Sequence, residues 1–282
     1  MAGETSASRA IRIIAAPPGA TVQDAGRTGW LHAGVPPSGP LDATAHAAAN
    51  LGVGNDPRQA ALEIPLGALR VAATAAVRIA IDGEPAVSLA SGEELLVTPC
   101  ARAVRYLAVA GGFAVPLVLG SRATLLVAGW GGFEGRCIRA GDVIAVGTAR
   151  ESGSPATAFP SLTDPPEPAV LRVRPGPHVG RMPADALAEL VAITWRVSTR
   201  GDRVGVRLEG GAIGRAGDDR GPPAPMVRGA IQITTDGTPI VLGPDHPVTG
   251  GYPVLAVMGR TSQAVLARLR PHRALRFVVE TG

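Results

Sequence analysis

The chain has 282 residues, of which 46% are hydrophobic and 18% charged, with a formal net charge of +4; that balance excludes a disordered chain and supplies enough apolar material for two domains. All 27 basic residues are arginine, which excludes a lysine-bearing phosphate loop, a lysine Schiff base and lysine-attached biotin on this chain. Aromatic residues make up 3% and the arginines are scattered among acids, so there is neither a base-stacking platform nor a basic stripe, and no nucleic-acid partner is expected.

The first stretch, MAGETSASRA, is polar where an export signal needs an apolar segment. No apolar run reaches the ~18 to 20 residues of a bilayer span, so no membrane partner is expected and a cytoplasmic location is. Residues 11–16 form a β-branched run stopped by Pro17-Pro18-Gly19, and TVQDAGRTGW follows as a loop. Asp42 is placed to cap a helix over 43–51, ended by Gly52 or Gly54 in the left-handed region. Alanines at 43, 45, 47, 48 and 49 let a neighbouring element approach that helix closely. Asn55-Asp56-Pro57 reads as a second start signal, predicting a short helix that yields near Ala61 to the extended ALEIPLG. From 69 to 146 strand follows strand, in LRVAA, AVRIAIDG, PAVSLA, EELLVTP, RAVRYLAVAGG and DVIAVG, which predicts a sandwich or barrel.

Periodicity vanishes over 149–168, a stretch rich in Pro, Ser and Thr, which predicts a linker between an N-terminal domain at 1–148 and a C-terminal domain at 169–282. The second domain opens with the strand AVLRVRPGP, carries helical spacing over 185–192, and returns to strands at ITWRVS, VGVRLEG, AIQITT, TPIVLG and VLAVMG. A helix in TSQAVLARL, capped by Thr261 or Ser262, and the strand LRFVVE close it. The predicted class is mainly β, in two β-rich domains with a few short helices. Cys100 and Cys137 are expected as thiols.

The five histidines show no paired spacing and neither cysteine joins one, so no metal is predicted. GSRAT lacks a nucleophile elbow, and GWGGFEG is a bulged loop rather than a phosphate cradle. Four polar loops concentrate charge. Asp24 and Arg27 in VQDAGRTG are either ligand groups or an ion pair tying down a turn. Ser38 and Asp42 follow in GVPPSGPLD, where a capping carboxylate still has an oxygen left for a pocket. In GDRVGVRLEG, Asp202 precedes an alternation that puts Arg203, Gly205, Arg207 and Glu209 on one face, where the arginines either fork onto a carboxylate or phosphate or form an ion-paired surface. In GPDHPVTGGYP, Asp245, Thr249 and Tyr252 surround Gly250-Gly251, whose amides can approach an anion, although a plain hairpin accounts for the loop nearly as well.

Taken together, these loops resemble the biotin-dependent carboxyltransferase-like family that includes the C subunit of 5-oxoprolinase, the KipA-type proteins and allophanate hydrolase subunit 2. The residues carrying the resemblance are VQDAGRTGW, GVPPSGPLD, AANLGVGN, ALEIPLG, RYLAVAGGF with VPLVLGSRAT, DRVGVRLEG, GAIQITTDGTPI and TGGYP, in family order. The resemblance implies cyclophilin-like barrels and a partner that is KipI-like or like the B subunit of 5-oxoprolinase. It implies a part in a heteromeric, ATP-dependent amidohydrolase or carboxyltransferase acting on a small cyclic-amide or urea-type substrate, with ATP used by the complex and biotin, where used, on another domain. The alternative is a non-catalytic KipA-type protein that antagonises a sensor-kinase inhibitor. On the enzyme reading Asp24, Arg27, Ser38, Asp42, Asp202, Arg203, Arg207, Asp245, Thr249, Gly250, Gly251 and Tyr252 bind substrate, and no catalytic residue is identified. Where the family has DRQT ahead of TGGYP, this chain reads DHPVT, replacing a fixed guanidinium with His246, which is a cation only when protonated.

Overall fold

The computed structural model describes residues 9–82, 84–148, 162–214 and 221–280. The chain divides into two compact units, one of Met1–Arg27 with Ser38–Thr163, the other of Thr28–Pro37 with Asp164–Gly282. Of the expected linker at 149–168, residues 149–161 lie outside the described residues.

The first unit contains β1 (Ala10–Ala15), β2 (Thr21–Gln23), α1 (Ala43–Gly52), β3 (Ala61–Pro65), β4 (Leu69–Ala73), β5 (Val77–Ile81), β6 (Val87–Leu89), β7 (Glu94–Val97), β8 (Val104–Val109) and β9 (Val143–Ala145). They form a four-stranded sheet, β7-β4-β1-β9, and a five-stranded sheet, β2-β3-β8-β5-β6. The apolar faces of the two sheets meet in one core that includes Ile11, Ile13, Leu62, Ile64, Leu69, Val71, Ile79 and Leu107. Helix α1 packs on β8, β5 and β3. That third layer explains why every residue of β8 is buried: Leu107 and Val109 join the core between the sheets, while Tyr106 turns to meet His46 of the helix edge to face.

The second unit contains β10 (Ala169–Pro175), α2 (Ala186–Ala192), β11 (Trp195–Val197), β12 (Gly205–Glu209), β13 (Ala224–Pro225), β14 (Ala230–Ile233), β15 (Pro239–Leu242), β16 (Thr249–Gly250), β17 (Val254–Met258), α3 (Arg260–Arg268) and β18 (Ala274–Val279). Seven of these strands close a barrel in the order β10-β17-β14-β15-β12-β11-β18, and β13 and β16 pair as a separate two-stranded ribbon. Leu171, Val173, Trp195, Leu208, Ile231, Ile233, Val241 and Phe277 belong to its core, as expected of a small barrel whose interior side chains fill it. The fold is mainly β with three short α-helices among the described residues, and none of these helices is long and apolar enough to cross a membrane.

Two local expectations fail, each for an identifiable reason. Instead of a helix after Asn55 there are turns. Asp56 Oδ1 accepts the Arg58 amide at 2.8 Å, and the Asn55 side chain bonds Asn50 Oδ1, the Val109 carbonyl and the Gly111 amide, so side-chain bonds to the backbone outcompete the helical ladder. Helix α3 starts at Arg260 with Gly259 as its N-cap and no side-chain cap. The expected cap Ser262 lies inside the helix, where its Oγ accepts the Arg172 amide at 2.8 Å.

Of the small residues in α1, Ala45, Ala48 and Ala49 are wholly buried, whereas Ala47 is half-buried and Ala43 exposed. We expect Ala48→Leu to overpack the helix against the sheet at a cost of about 1–3 kcal/mol, and Ala43→Leu to change stability by less than about 0.5 kcal/mol. Urea unfolding of the two variants checks this; equal effects would show that the helix is not closely packed.

Candidate functional site

In the first unit, Asp24, Arg27, Ser38 and Asp42 hold loops in place. Asp24 accepts the Gly26 amide at 2.8 Å, the Ser121 hydroxyl at 2.6 Å and the Arg122 amide. Buried Arg27 donates to the Val118 carbonyl, to Ser38 Oγ at 3.0 Å and to the Ala123 carbonyl. Ser38 has φ of 54°, a left-handed conformation unusual for a side-chain-bearing residue, and the arginine bond helps to fix it there. Asp42 caps α1 by accepting the Thr44 and Ala45 amides at 3.0 and 3.2 Å. Its own amide donates to Tyr106 Oη, which in turn donates to Glu63 Oε2 at 2.6 Å. Glu63 Oε2 also accepts the Leu41 amide. The polar groups of the quartet are thus engaged within the protein, and the SGPLD turn is fixed from several sides.

Two titratable side chains of this network are displaced by their surroundings. Burial pushes the Tyr106 hydroxyl well above its ordinary pKa, helped by the negative charges of Glu63 and Asp42. Burial likewise lowers the pKa of His46 against the opposing pull of the Gln23 carbonyl, Glu63 and Asp24. His46 Nε2 lies 3.1 Å from that carbonyl, so the neutral ring carries its proton there.

The second unit holds a cleft of about 710 Å³ on the outer surface of the barrel. Alternation places it there: Val206, Leu208, Ile231, Ile233 and Val241 point into the core, so Gly205, Arg207, Gln232, Ile240 and Leu242 point outward. Strand register completes the arrangement. Arg207 on β12 and Gln232 on β14 both pair with Ile240 on β15, so the three side chains form one row across three strands. At ~4.8 Å per strand the outer two backbones stand about 10 Å apart. Val204, Ile240, Leu242 and Pro247 give the cleft an apolar surface, and Arg200, Asp202, Gly250, Gly251 and Tyr252 complete its lining.

A Cβ at Gly250 would lie 2.9 Å from Gln232 Nε2 and 3.3 Å from Met226 Cγ, so a side chain there would displace the Gln232 amide. Gln232 itself is only 5% exposed. Its Nε2 donates to the Tyr252 carbonyl and the Met226 sulfur, each at 3.2 Å. Arg207 is half-buried, and no carboxylate among the described residues pairs with its guanidinium.

Arg203 has a different environment. It lies in the bend before β12 rather than on the strand face, and its Nε and Nη2 bond Asp245 Oδ2 and Oδ1 at 2.8 and 3.1 Å. Backbone bonds from Asp245 to the Arg203 carbonyl and from Gly243 to the Val204 carbonyl, at 3.0 and 2.9 Å, join the same segments. Asp202 Oδ1 accepts the Val204 and Gly205 amides and shapes the turn. His246 is buried, with Nδ1 at 2.9 Å from the Pro247 carbonyl. Burial, aided by Arg228, lowers its pKa against the contributions of that carbonyl and Asp245, so it supplies no cation near neutral pH.

Of the twelve residues singled out in the sequence, Asp202, Arg207, Gly250, Gly251 and Tyr252 line the barrel cleft, Arg203 and Asp245 brace it, and Thr249 is exposed on the adjoining ribbon. Asp24, Arg27, Ser38 and Asp42 belong to the other unit. The sequence reading missed Arg200, Gln232, Ile240 and Leu242; the one available signal was a glutamine at an outward position of the otherwise apolar AIQI strand. No group of three or more His, Cys, Asp or Glu able to hold a metal is found among the described residues.

Residues 33–279 match the family model described as carboxyltransferase domain, subdomain A and B. The chain is 32% identical to the C subunit of 5-oxoprolinase from Escherichia coli (strain K12), the match covering 95% of this chain and 90% of that protein. It is 30% identical to urea amidolyase of Lachancea kluyveri across 93% of this chain but only 16% of that longer one. A solved structure of the Kluyveromyces lactis urea carboxylase is similar with a TM-score of 0.89 at 26% identity, covering 99% of this chain and 28% of the other.

Two outcomes follow from the site's geometry. Asp245→Ala leaves a guanidinium buried without this carboxylate and should cost about 3–5 kcal/mol in urea unfolding, whereas Arg207→Ala should cost less than about 0.5 kcal/mol; similar losses would contradict the division between brace and ligand group. Separately, because the folded-state pKa of His46 lies below its ordinary 6.5, the unfolded chain binds more protons below that pH. The stability contribution is therefore intact above 6.5 and lost as pH falls through the folded pKa. Stability measured from pH 7.5 to 5 should fall more steeply for the wild type than for His46→Gln, and parallel slopes would contradict it.

Proposed function

The chain belongs to the carboxyltransferase-domain family, and from that membership we propose that it is the ligand-binding component of a heteromeric, ATP-dependent enzyme of the 5-oxoprolinase type. In this role it holds a small, carboxylate-bearing cyclic amide in the cleft outside the barrel. The observation that carries the proposal is the row of Arg207, Ile240 and Gln232: a cation with no carboxylate partner among the described residues, an apolar floor and a carboxamide, in a chain that spans 90% of a protein named as one of the subunits of 5-oxoprolinase.

The residue chemistry supports this choice. A guanidinium forks onto a carboxylate, and Arg200 adds positive charge at the same cleft. Ile240 and Leu242 keep water from one side of the ring, which strengthens polar contacts on the other. ATP, bound in the complex, would supply the driving energy for opening a stable amide. This chain shows no lysine-bearing phosphate loop to hold it. There is no lysine, and the glycine-rich stretch from Gly129 follows a short 3-10 turn and leads into no α-helix before β9. Nucleotide, and biotin where it is used, are therefore assigned to a partner that is KipI-like or like the B subunit of 5-oxoprolinase.

The test is co-expression with such a partner, followed by an assay of ATP-dependent glutamate formation from 5-oxoproline. Turnover is expected, and Arg207→Ala should lower kcat/KM by about ten- to hundredfold, the worth of one charge-assisted hydrogen bond, without loosening the complex. A tight complex with no turnover would overturn the proposal.

A further inference from the structure

The amide of Gln232 has a fixed orientation. The Tyr252 carbonyl can only accept a hydrogen bond, so the Gln232 atom 3.2 Å from it is the nitrogen. The second contact of that nitrogen, to the Met226 sulfur, agrees. With Nε2 engaged by two acceptors, the group left for a ligand is the carbonyl Oε1, which has no protein donor among the described residues. Turning the amide over would set Oε1 against the Tyr252 carbonyl and the Met226 sulfur, acceptor against acceptor, so the amide keeps this orientation.

We infer that Gln232 is a specificity-determining residue of the cleft, whose Oε1 accepts a hydrogen bond from a ring N–H of the ligand while Arg207 holds the ligand's anionic group. The inference rests on the lactam-binding role proposed above. Its content is the ligand class: the site requires an N–H donor on one side and an anion on the other, and so separates a lactam acid from the lactone acid of the same shape. In the lactone a ring oxygen would face Oε1, setting two acceptors against each other with no proton between them. The spacing allows this division of labour, because Arg207 and Gln232 flank Ile240 in one row and the long arginine side chain can span much of the separation.

Calorimetric titration of the full chain with 5-oxoproline and with its ring-oxygen analogue, 5-oxotetrahydrofuran-2-carboxylate, tests the point without any variant. The wild type should bind the lactam at least about tenfold more tightly. Gln232→Met, which removes the acceptor at similar volume, should bring the two affinities within about twofold of each other; a purely structural role for Gln232 would weaken both ligands and leave their ratio unchanged. Equal binding of the two ligands by the wild type overturns the role of Gln232 while leaving the lactam site standing. Binding of neither removes the lactam reading, and this inference with it. If Gln232→Met does not fold, as thermal melting would reveal, the wild-type ratio decides alone.

Discussion

The two-pronged pair between Arg203 and Asp245 is the constraint on which the candidate site depends. It is buried, and it joins the bend that leads into β12 to the loop that leaves β15. Two backbone hydrogen bonds close the same seam, and Gly243 permits it, since a Cβ there would approach the Arg203 carbonyl to 2.2 Å. Burying such a pair brings little net stability, because desolvation opposes the Coulombic gain. What it brings is register: with the seam closed, β12 and β15 run in the alignment that sets Arg207 beside Ile240. Four positions apart, two arginines thus serve opposite ends, one locked into the scaffold and one left to face the cleft.

Barrel closure supplies the other half of the arrangement. A strand whose inward residues fill a small barrel must send the intervening ones outward, and on β12, β15 and β14 those outward residues are the ones that line the cleft. The β13–β16 ribbon contributes Gly250, while Met226, Ala230, Leu242 and Val254 form a small satellite core outside the barrel. Gln232 sits with this group, nearly buried yet polar, a position that favours a committed hydrogen-bonding geometry over a mobile one. In the other unit, Arg27, Glu63 and Tyr106 fix the SGPLD turn in a comparable way, with bonds to Ser38 Oγ, the Leu41 amide and the Asp42 amide, and the first of these bears on the left-handed Ser38.

The features legible in the sequence were those with a local cause. Period-two runs such as AVLRVRP and LRFVVE became strands, and Asp42 became the cap of its helix, because both depend on residues a few positions apart. The short helix after Asn55 and the cap of α3 failed where a contact distant in sequence took the decisive group, Val109 and Gly111 in the first case and Arg172 in the second. Arg203 was read by alternation as part of the strand face, but its partner lies 42 residues onward and drew it out of that face. The glutamine in AIQI stood out, but its role was not legible for the same reason: it depends on Met226, Tyr252 and Gly250, brought together by the ribbon and the barrel's edge. The family was legible because many short motifs recur in order, a signal that needs no knowledge of contacts.

The outer face of the barrel is the proposed ligand surface. A crystal structure of the full chain grown with 5-oxoproline tests this most directly. The predicted result is density along the Arg207–Ile240–Gln232 row, with the carboxylate against the guanidinium and the ring nitrogen within hydrogen-bond distance of Oε1. Ordered ligand elsewhere on the chain, with this row holding only water, would contradict it.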